Sequence, residues 1–303
     1  MADVTTTVEG RTLKLTNLDK QLYPSGFTKG EVIEYYRAIA PVLLPHLDGR
    51  PVTRIRFPNG TADKGFFEKN APAGAPEWLR ILHTTGADGD LDYPVIDTLP
   101  ALIYMANLAA LELHAHQWKV SARTKNVTVD KNLPVDQLVI DLDPGEGVTM
   151  PLIATAALLM AGELGDAGLT SYAKTSGGKG IQVYSPLVRT PAGRVLDWAR
   201  ELGERLAAQH PALFVTAIAK EARVGKILID VNQNLPGRTT VAPYSLRARD
   251  EPTVSTPLRW EEVEAATDGA PLRFTASDVL ARVESGGDLF ADLLGRRRGT
   301  LPD

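Results

Sequence analysis

Leu138–Gly147 reads LVIDLDPGEG, which places Asp141 and Asp143 one residue apart at the end of an apolar run. Val139, Ile140 and Leu142 are strand formers, and Pro144-Gly145 stops the strand. Side chains alternate faces along a strand, so the two aspartates point the same way and Leu142 points the other way. Two carboxylates about 5 Å apart repel by roughly 3 kcal/mol at an effective dielectric near 20. Protonation of one carboxyl, basic neighbours or a bound cation relieves that repulsion. The plainer alternative is a solvated strand end whose aspartates form a turn at Asp-Pro-Gly.

Working outward, a third aspartate ends a similar run. In KILIDVNQN, Asp230 follows Ile227, Leu228 and Ile229. A strand-terminal aspartate alone is a turn former, but three in one chain point to hard divalent ions such as Mg²⁺ or Mn²⁺. Two such ions can activate an attacking hydroxyl and stabilise a leaving phosphate oxygen. KTSGGKGIQVY supplies the phosphate side: Ser176, Gly177, Gly178 and Gly180 let backbone N–H groups turn toward an anion, and Lys179 adds charge. The spacing is not that of a Walker A loop, and a β-branched segment follows it, so the loop is expected to join two strands. A plain glycine-rich hairpin turn is the alternative.

Two further stretches complete the candidate chemistry. HAHQW carries His114 at the end of an element and Trp118, which reads as core. YSLRAR carries Arg247 and Arg249, whose guanidinium groups suit phosphate oxygens. Toward the N-terminus, Lys20 and Lys29 flank the start of a helix, where backbone N–H groups favour anions. Solvated surface lysines are the competing reading. GFFEK puts Phe66 and Phe67 in a loop, where exposed aromatics beside basic residues stack nucleic-acid bases; burial of both is the alternative.

The rest of the chain sets the frame. TTTVEGRTLKL reads as a hairpin turning near Glu9-Gly10. In TKGEVIEYYRAIAPVLLPHL, Thr28 and Glu31 have capping-box spacing, and Val32, Tyr35, Tyr36 and Ile39 form an apolar face. PALIYMANLAALELHAHQW reads as a buried helix running into a strand, and further helices are expected from about Met150 to Gly165, over AGRVLDWARELGERLAAQ and over TASDVLARVES. No internal repeat or low-complexity linker interrupts the pattern. The expected class is α/β (α+β), a central mixed or antiparallel sheet flanked by helices. The expected layout is one domain over 1–303, with an N-terminal lobe to about 111, a catalytic core over about 112–250 and C-terminal helices from about 251.

Composition narrows the function. The chain has 303 residues, 44% hydrophobic and 23% charged, an ordinary globular balance. With no cysteine, disulfides and thiolate metal sites are excluded, which suits a reducing cytoplasm. MADVTTTVEG lacks the basic and apolar regions of a signal peptide, and PLIATAALLMAG is too short to span a bilayer, so no membrane association is expected. The net charge of −4 argues against holding nucleic acid by bulk charge, so any such site must be a local patch.

The order LTNLDKQLYP, GRPVTRIRFPNG, FFEK, LELHAHQW, DLDPGEG, TSGGKG, IDVNQN and APYSLRAR resembles the polymerase domain of bacterial ligase D, of the archaeo-eukaryotic primase superfamily. The resemblance is collinear over roughly residues 10 to 295. It implies the primase-polymerase fold and a template-dependent nucleotidyltransferase that extends primers and fills short gaps in DNA break repair by non-homologous end joining. It implies Mn²⁺ (or Mg²⁺) held by Asp141, Asp143 and Asp230, and an NTP or dNTP contacted by His114, Ser176, Lys179 and Arg247. Asn17, Lys20 and Lys29 would receive the 5′-phosphate of gapped or recessed DNA, with Phe66 and Phe67 stacking near the template. A DNA ligase and an end-binding protein are the implied protein partners, and a cytoplasmic, nucleoid-associated location follows. Two departures stand out: Gln182 where many relatives carry histidine, and Ile55 where some carry lysine. They motivate an alternative, a 5′-phosphate-binding module with weak or lost synthesis. Haloacid-dehalogenase-type phosphatases also use a strand-end DxD, but Pro144-Gly145 stands where they need a DxDxT arrangement. Ligase and nuclease domains are not present in this sequence, which is read as a stand-alone chain or an excised domain.

Overall fold

The computed structural model describes residues 3–302. From the N-terminus the chain forms β1 (Val4–Val8), β2 (Arg11–Leu15), α1 (Lys29–Leu47), β3 (Val52–Arg56), β4 (Phe66–Glu68), β5 (Ile81–Gly86), β6 (Leu91–Pro94), α2 (Leu99–Asn107), β7 (Ala110–His116) and β8 (Asn126–Val129). There follow β9 (Pro134–Pro144), α3 (Met150–Asp166), β10 (Tyr172–Thr175), β11 (Ile181–Pro191), α4 (Ala192–Gln209), β12 (Phe214–Val215), β13 (Ile227–Asp230), β14 (Thr239–Val241), β15 (Pro257–Leu258), α5 (Trp260–Thr267) and α6 (Ala276–Gly286). These fall into two compact units. The first takes the chain through Thr128 together with Thr239–Ser255 and Phe274–Asp288; the second takes Val129–Arg238, Thr256–Arg273 and the segment from Leu289 onward. The lobe boundary expected near residue 111 falls inside β7, which belongs whole to the first unit.

In the first unit β1 and β2 pair as the expected hairpin, with Glu9 and Gly10 both at positive φ, the backbone a tight two-residue turn requires. Thr28 caps α1: its hydroxyl accepts from Glu31 N–H while the Glu31 carboxylate reaches back to the Thr28 N–H. Val32, Tyr35, Tyr36, Ile39, Leu43 and Leu47 form its buried stripe. The main sheet runs β14-β7-β3-β4, with antiparallel pairing throughout. Phe66 and Phe67 are not in a loop, as the sequence suggested. They lie on β4, which pairs antiparallel with β3, and Glu68 at its end meets two cations, Arg54 at 2.5 Å and Arg56 at 3.0 Å. Trp118 is buried, as expected.

The second unit is built on a six-stranded sheet, β12-β13-β9-β11-β10-β15. All its pairs are antiparallel except β12 with β13, so the sheet is mixed. β9 carries the diagnostic LVIDLDP run through the middle of it. Successive residues from Val135 to Ile140 are buried, so both faces of β9 are covered, and both α3 and α4 pack against β9 and β11. α4 approaches closely enough that a Cβ on Gly203 would sit 3.3 Å from Ile229 Cγ2. SGGKG joins β10 to β11 as a hairpin connection, as expected. Among the described residues no helix is long and apolar enough to cross a membrane.

Candidate active site

β9 and β13 are antiparallel neighbours, and their register sets Asp230 directly opposite Asp141 and Leu228 opposite Asp143. Cross-strand partners share a face, so Asp141, Asp143 and Asp230 emerge on one face at the same end of the sheet. β9 stops there because Gly145 is tucked against the loop before β13. Its N–H donates to Lys226 O at 2.9 Å, and a Cβ would lie 1.7 Å from Arg223 O. Only glycine fits that approach.

The three carboxylates have different company. Burial pushes Asp141 up from 3.8 to about 6; the charges of Asp230 and Asp143 add to this, against a hydrogen bond from Gln182 and the charge of Lys174. Asp143 is ion-paired with Arg223. Asp230 Oδ1 accepts from Asn232 N at 2.9 Å and Asn232 Nδ2 at 3.0 Å, and its Oδ2 from Gln233 Nε2 at 3.3 Å. Among the described residues no group of three or more such side chains closes around a common point. The three share a face and a register, while their carboxylate groups are turned to neighbouring donors. The donor set itself fits a hard divalent cation: three oxygen ligands on one face, with mutual repulsion that helps to raise Asp141.

Behind Asp141 lies a buried polar chain that the sequence did not disclose. Gln182 pairs with Asp141 on β9 and with Lys174 on β10. Lys174 is fully buried, donates from Nζ to Gln182 Oε1 at 2.5 Å, and sits 5.6 Å above the Tyr184 ring. The amide thus presents its oxygen to the lysine and its N–H₂ to Asp141. Next to it, the SGGKG loop is wrapped on Ser176, whose Oγ accepts from Gly178 N at 3.3 Å and Gly180 N at 3.2 Å. Those two N–H groups therefore point at the Ser176 hydroxyl, not outward as the glycine pattern suggested. Lys179 is exposed at the loop tip.

The other expected nucleotide contacts, His114 and Arg247, belong to the first unit and are brought together there by Glu112. Glu112 and His114 share a face of β7 two residues apart; Oε2 lies 3.0 Å from His114 Nε2 and Oε1 lies 3.2 Å from Arg247 Nε. Glu112 is not among the residues expected from the sequence. Its i, i+2 spacing to His114 was a visible signal, but its link to Arg247 comes from a segment far along the chain.

Asn17, Lys20 and Lys29 also meet in the first unit. Lys20 N donates to Asn17 O at 3.0 Å, and Lys29 N to Lys20 O at 2.8 Å. Lys29 is no surface lysine. It is 5% exposed and its Nζ donates to Thr16 O at 2.6 Å. Burial first, then the charge of Lys20, lowers it from 10.5 to about 8. Phe66 and Phe67 are 56% and 58% exposed, which excludes burial for both.

The mixed sheet thus presents three strand-end aspartates on one face, beside a glycine-rich hairpin between β10 and β11. Residues 28–290 match the family model described as LigD, primase-polymerase domain. The chain is 42% identical over 283 residues to the multifunctional non-homologous end joining protein LigD of Mycolicibacterium smegmatis, covering 93% of this chain and 36% of that protein. It is 32% identical to the bifunctional LigD of Bacillus subtilis, over 92% of this chain and 44% of the relative. The polymerase domain of Mycobacterium tuberculosis ligase D, solved in complex with DNA, superposes with a TM-score of 0.87 at 38% identity, covering 96% of this chain and 99% of that one. The chain belongs to the LigD primase-polymerase domain family and spans less than half the length of these curated relatives. The class of chemistry that the family's description names is nucleotidyl transfer by a primase-polymerase domain.

Proposed function

We propose that this chain extends primers and fills short gaps at broken DNA ends in a template-directed way, adding ribo- or deoxyribonucleotides. The observation that carries the reading is the β9–β13 register, which sets Asp230 against Asp141 with Asp143 on the same face, in a chain matched by the family model over most of its length. In this reading Asp141, Asp143 and Asp230 hold Mn²⁺ or Mg²⁺. Divalent ions held there would favour deprotonation of a primer 3′-hydroxyl and neutralise charge developing on a pyrophosphate leaving group. Gln182 orients the Asp141 carboxylate from behind, with the buried Lys174 fixing the amide. Ser176, Lys179, His114 and Arg247 contact the nucleotide, the two cations Lys179 and Arg247 pairing with its phosphates. Asn17, Lys20 and Lys29 receive a downstream 5′-phosphate, and Phe66 and Phe67 stack near the template. A DNA ligase is the partner this chemistry calls for, because a filled gap still leaves a nick, and an end-binding protein is proposed beside it because the substrate is a broken end.

Primer extension on a gapped duplex, with Mn²⁺ or Mg²⁺ and each nucleotide type in turn, tests the proposal. Template-dictated addition that stops at the gap supports it. No addition under any of these conditions refutes it, and would leave only the 5′-phosphate pocket. In the same assay Lys179→Ala is expected to raise the nucleotide KM with little change in kcat, since a contact made equally in ground and transition states affects binding alone.

A further inference from the structure

Among the contacts that tie the segment carrying Arg247 to β7 and α1, three have a side chain as acceptor for a backbone N–H. Ser245 Oγ accepts from Leu113 N at 2.9 Å, Tyr36 OH accepts from Leu246 N at 3.2 Å, and Glu112 Oε1 accepts from Ala248 N at 2.9 Å. Two of the three are made by neutral hydroxyls. The third is made by a carboxylate only 6% exposed, and a neutral amide would cap Ala248 N–H as well. Burying a charge there is costly unless the charge itself is used. Burial pushes the Glu112 carboxyl up, but the His114 hydrogen bond, the Arg247 and His114 charges and the Ala248 N–H outweigh it and hold the group at about 2. Glu112 is therefore ionised throughout the working pH range.

We propose that Glu112 is a positioning residue that holds the His114 imidazole and the Arg247 guanidinium at a fixed spacing as a preformed receptor for the nucleotide's phosphates. This rests on the reading that His114 and Arg247 contact the nucleotide. The Glu112 charge lies 3.2 Å from Arg247 Nε, an ion pair that restrains the guanidinium by its charge at one of its nitrogens. A long, flexible arginine loses rotamer freedom when it grips a ligand, and a side chain already held in place loses less. A guanidinium already restrained near its place offers phosphate a bidentate grip at a smaller ordering cost.

The test compares wild type with Glu112→Gln, Glu112→Asp, His114→Ala, Arg247→Ala and the Glu112→Gln/Arg247→Ala double variant. Nucleotide affinity is measured by calorimetry, KM and kcat by primer extension, and folding by thermal melting together with binding to 5′-phosphorylated DNA. Glu112→Gln keeps the Ala248 cap and is expected to bind DNA as wild type does, while its nucleotide KM rises about tenfold or more with kcat changed far less. Glu112→Asp, which keeps the charge, falls between the two. In the Arg247→Ala background Glu112→Gln adds much less than it does alone, because both act on one guanidinium. A wild-type KM in Glu112→Gln, with KM raised in Arg247→Ala and His114→Ala, overturns this inference alone; full additivity of Glu112→Gln and Arg247→Ala does the same. A wild-type KM in both His114→Ala and Arg247→Ala overturns the nucleotide reading and this inference with it. Should Glu112→Gln fail to fold, a wild-type KM in Glu112→Asp decides against the inference.

Discussion

Replacing Asp141 by asparagine should stabilise the metal-free protein. Asp141 sits at about 6 in the folded chain against an ordinary 3.8. A group raised by folding favours the native state below its unfolded value and loses that contribution as pH climbs through its folded value. Ionising Asp141 beside Asp230 and Asp143 therefore costs the folded protein nothing near pH 3.5, an increasing amount between about pH 4 and pH 6, and the full amount at neutral pH. The rise from 3.8 to about 6 is worth about 3 kcal/mol, at about 1.36 kcal/mol for each pH unit. An asparagine side chain never ionises and escapes this penalty. In the presence of a chelator at pH 7.5, Asp141→Asn should melt about 5 °C above wild type, and the difference should vanish near pH 4. Millimolar Mn²⁺ should raise the melting temperature of wild type, because a ligand that binds only the native state stabilises it, and should do so much less for the variant. The variant should also be inactive in nucleotide addition. A chelated Asp141→Asn protein that melts at or below wild type at pH 7.5 would refute the electrostatic argument, and with it the case for a cation at this face.

Other consequences follow from the same geometry. Asp143→Ala and Asp230→Ala should each abolish nucleotide addition while leaving gapped-DNA affinity within a few-fold in gel-shift titrations, because phosphate contacts elsewhere carry binding. Competition between phosphorylated and unphosphorylated gaps at fixed salt should show a tenfold to hundredfold preference for the phosphate, from roughly 1.5–3 kcal/mol for hydrogen bonds to a charged group; Lys20→Ala with Lys29→Ala should remove it. Since Lys29 is held at about 8, it is charged below that pH and neutral above. The 5′-phosphate preference should therefore weaken between pH 7 and pH 9, and a Lys29→Met protein should show no such pH dependence. Gln182→Leu removes the acceptor 2.5 Å from the buried Lys174 ammonium and should lower unfolding free energy by roughly 1.5–3 kcal/mol in urea titrations.

What the sequence settled by itself was local. The alternation in LVIDLD and the stop at Pro144-Gly145 fix a strand with two aspartates on one face, because side-chain period and turn chemistry act over a few residues. The β1–β2 turn and the Thr28–Glu31 cap are of the same kind. The pairing of Asp230 with Asp141 was beyond it. Nothing in either run dictates which strand lies beside β9, and only the packed sheet sets that register. The same holds for Glu112, whose partners His114 and Arg247 come from a neighbouring position and from a distant segment. Lys29 looked like a surface lysine because polar residues default to the surface, and only the surrounding chain shows it buried on Thr16. Phe66 and Phe67 followed a glycine and read as loop; the ladder with β3, a pairing no local window discloses, makes them a strand. Burial and charge pairing are long-range properties, set when segments far apart in the chain exclude water together, and no window of sequence contains them.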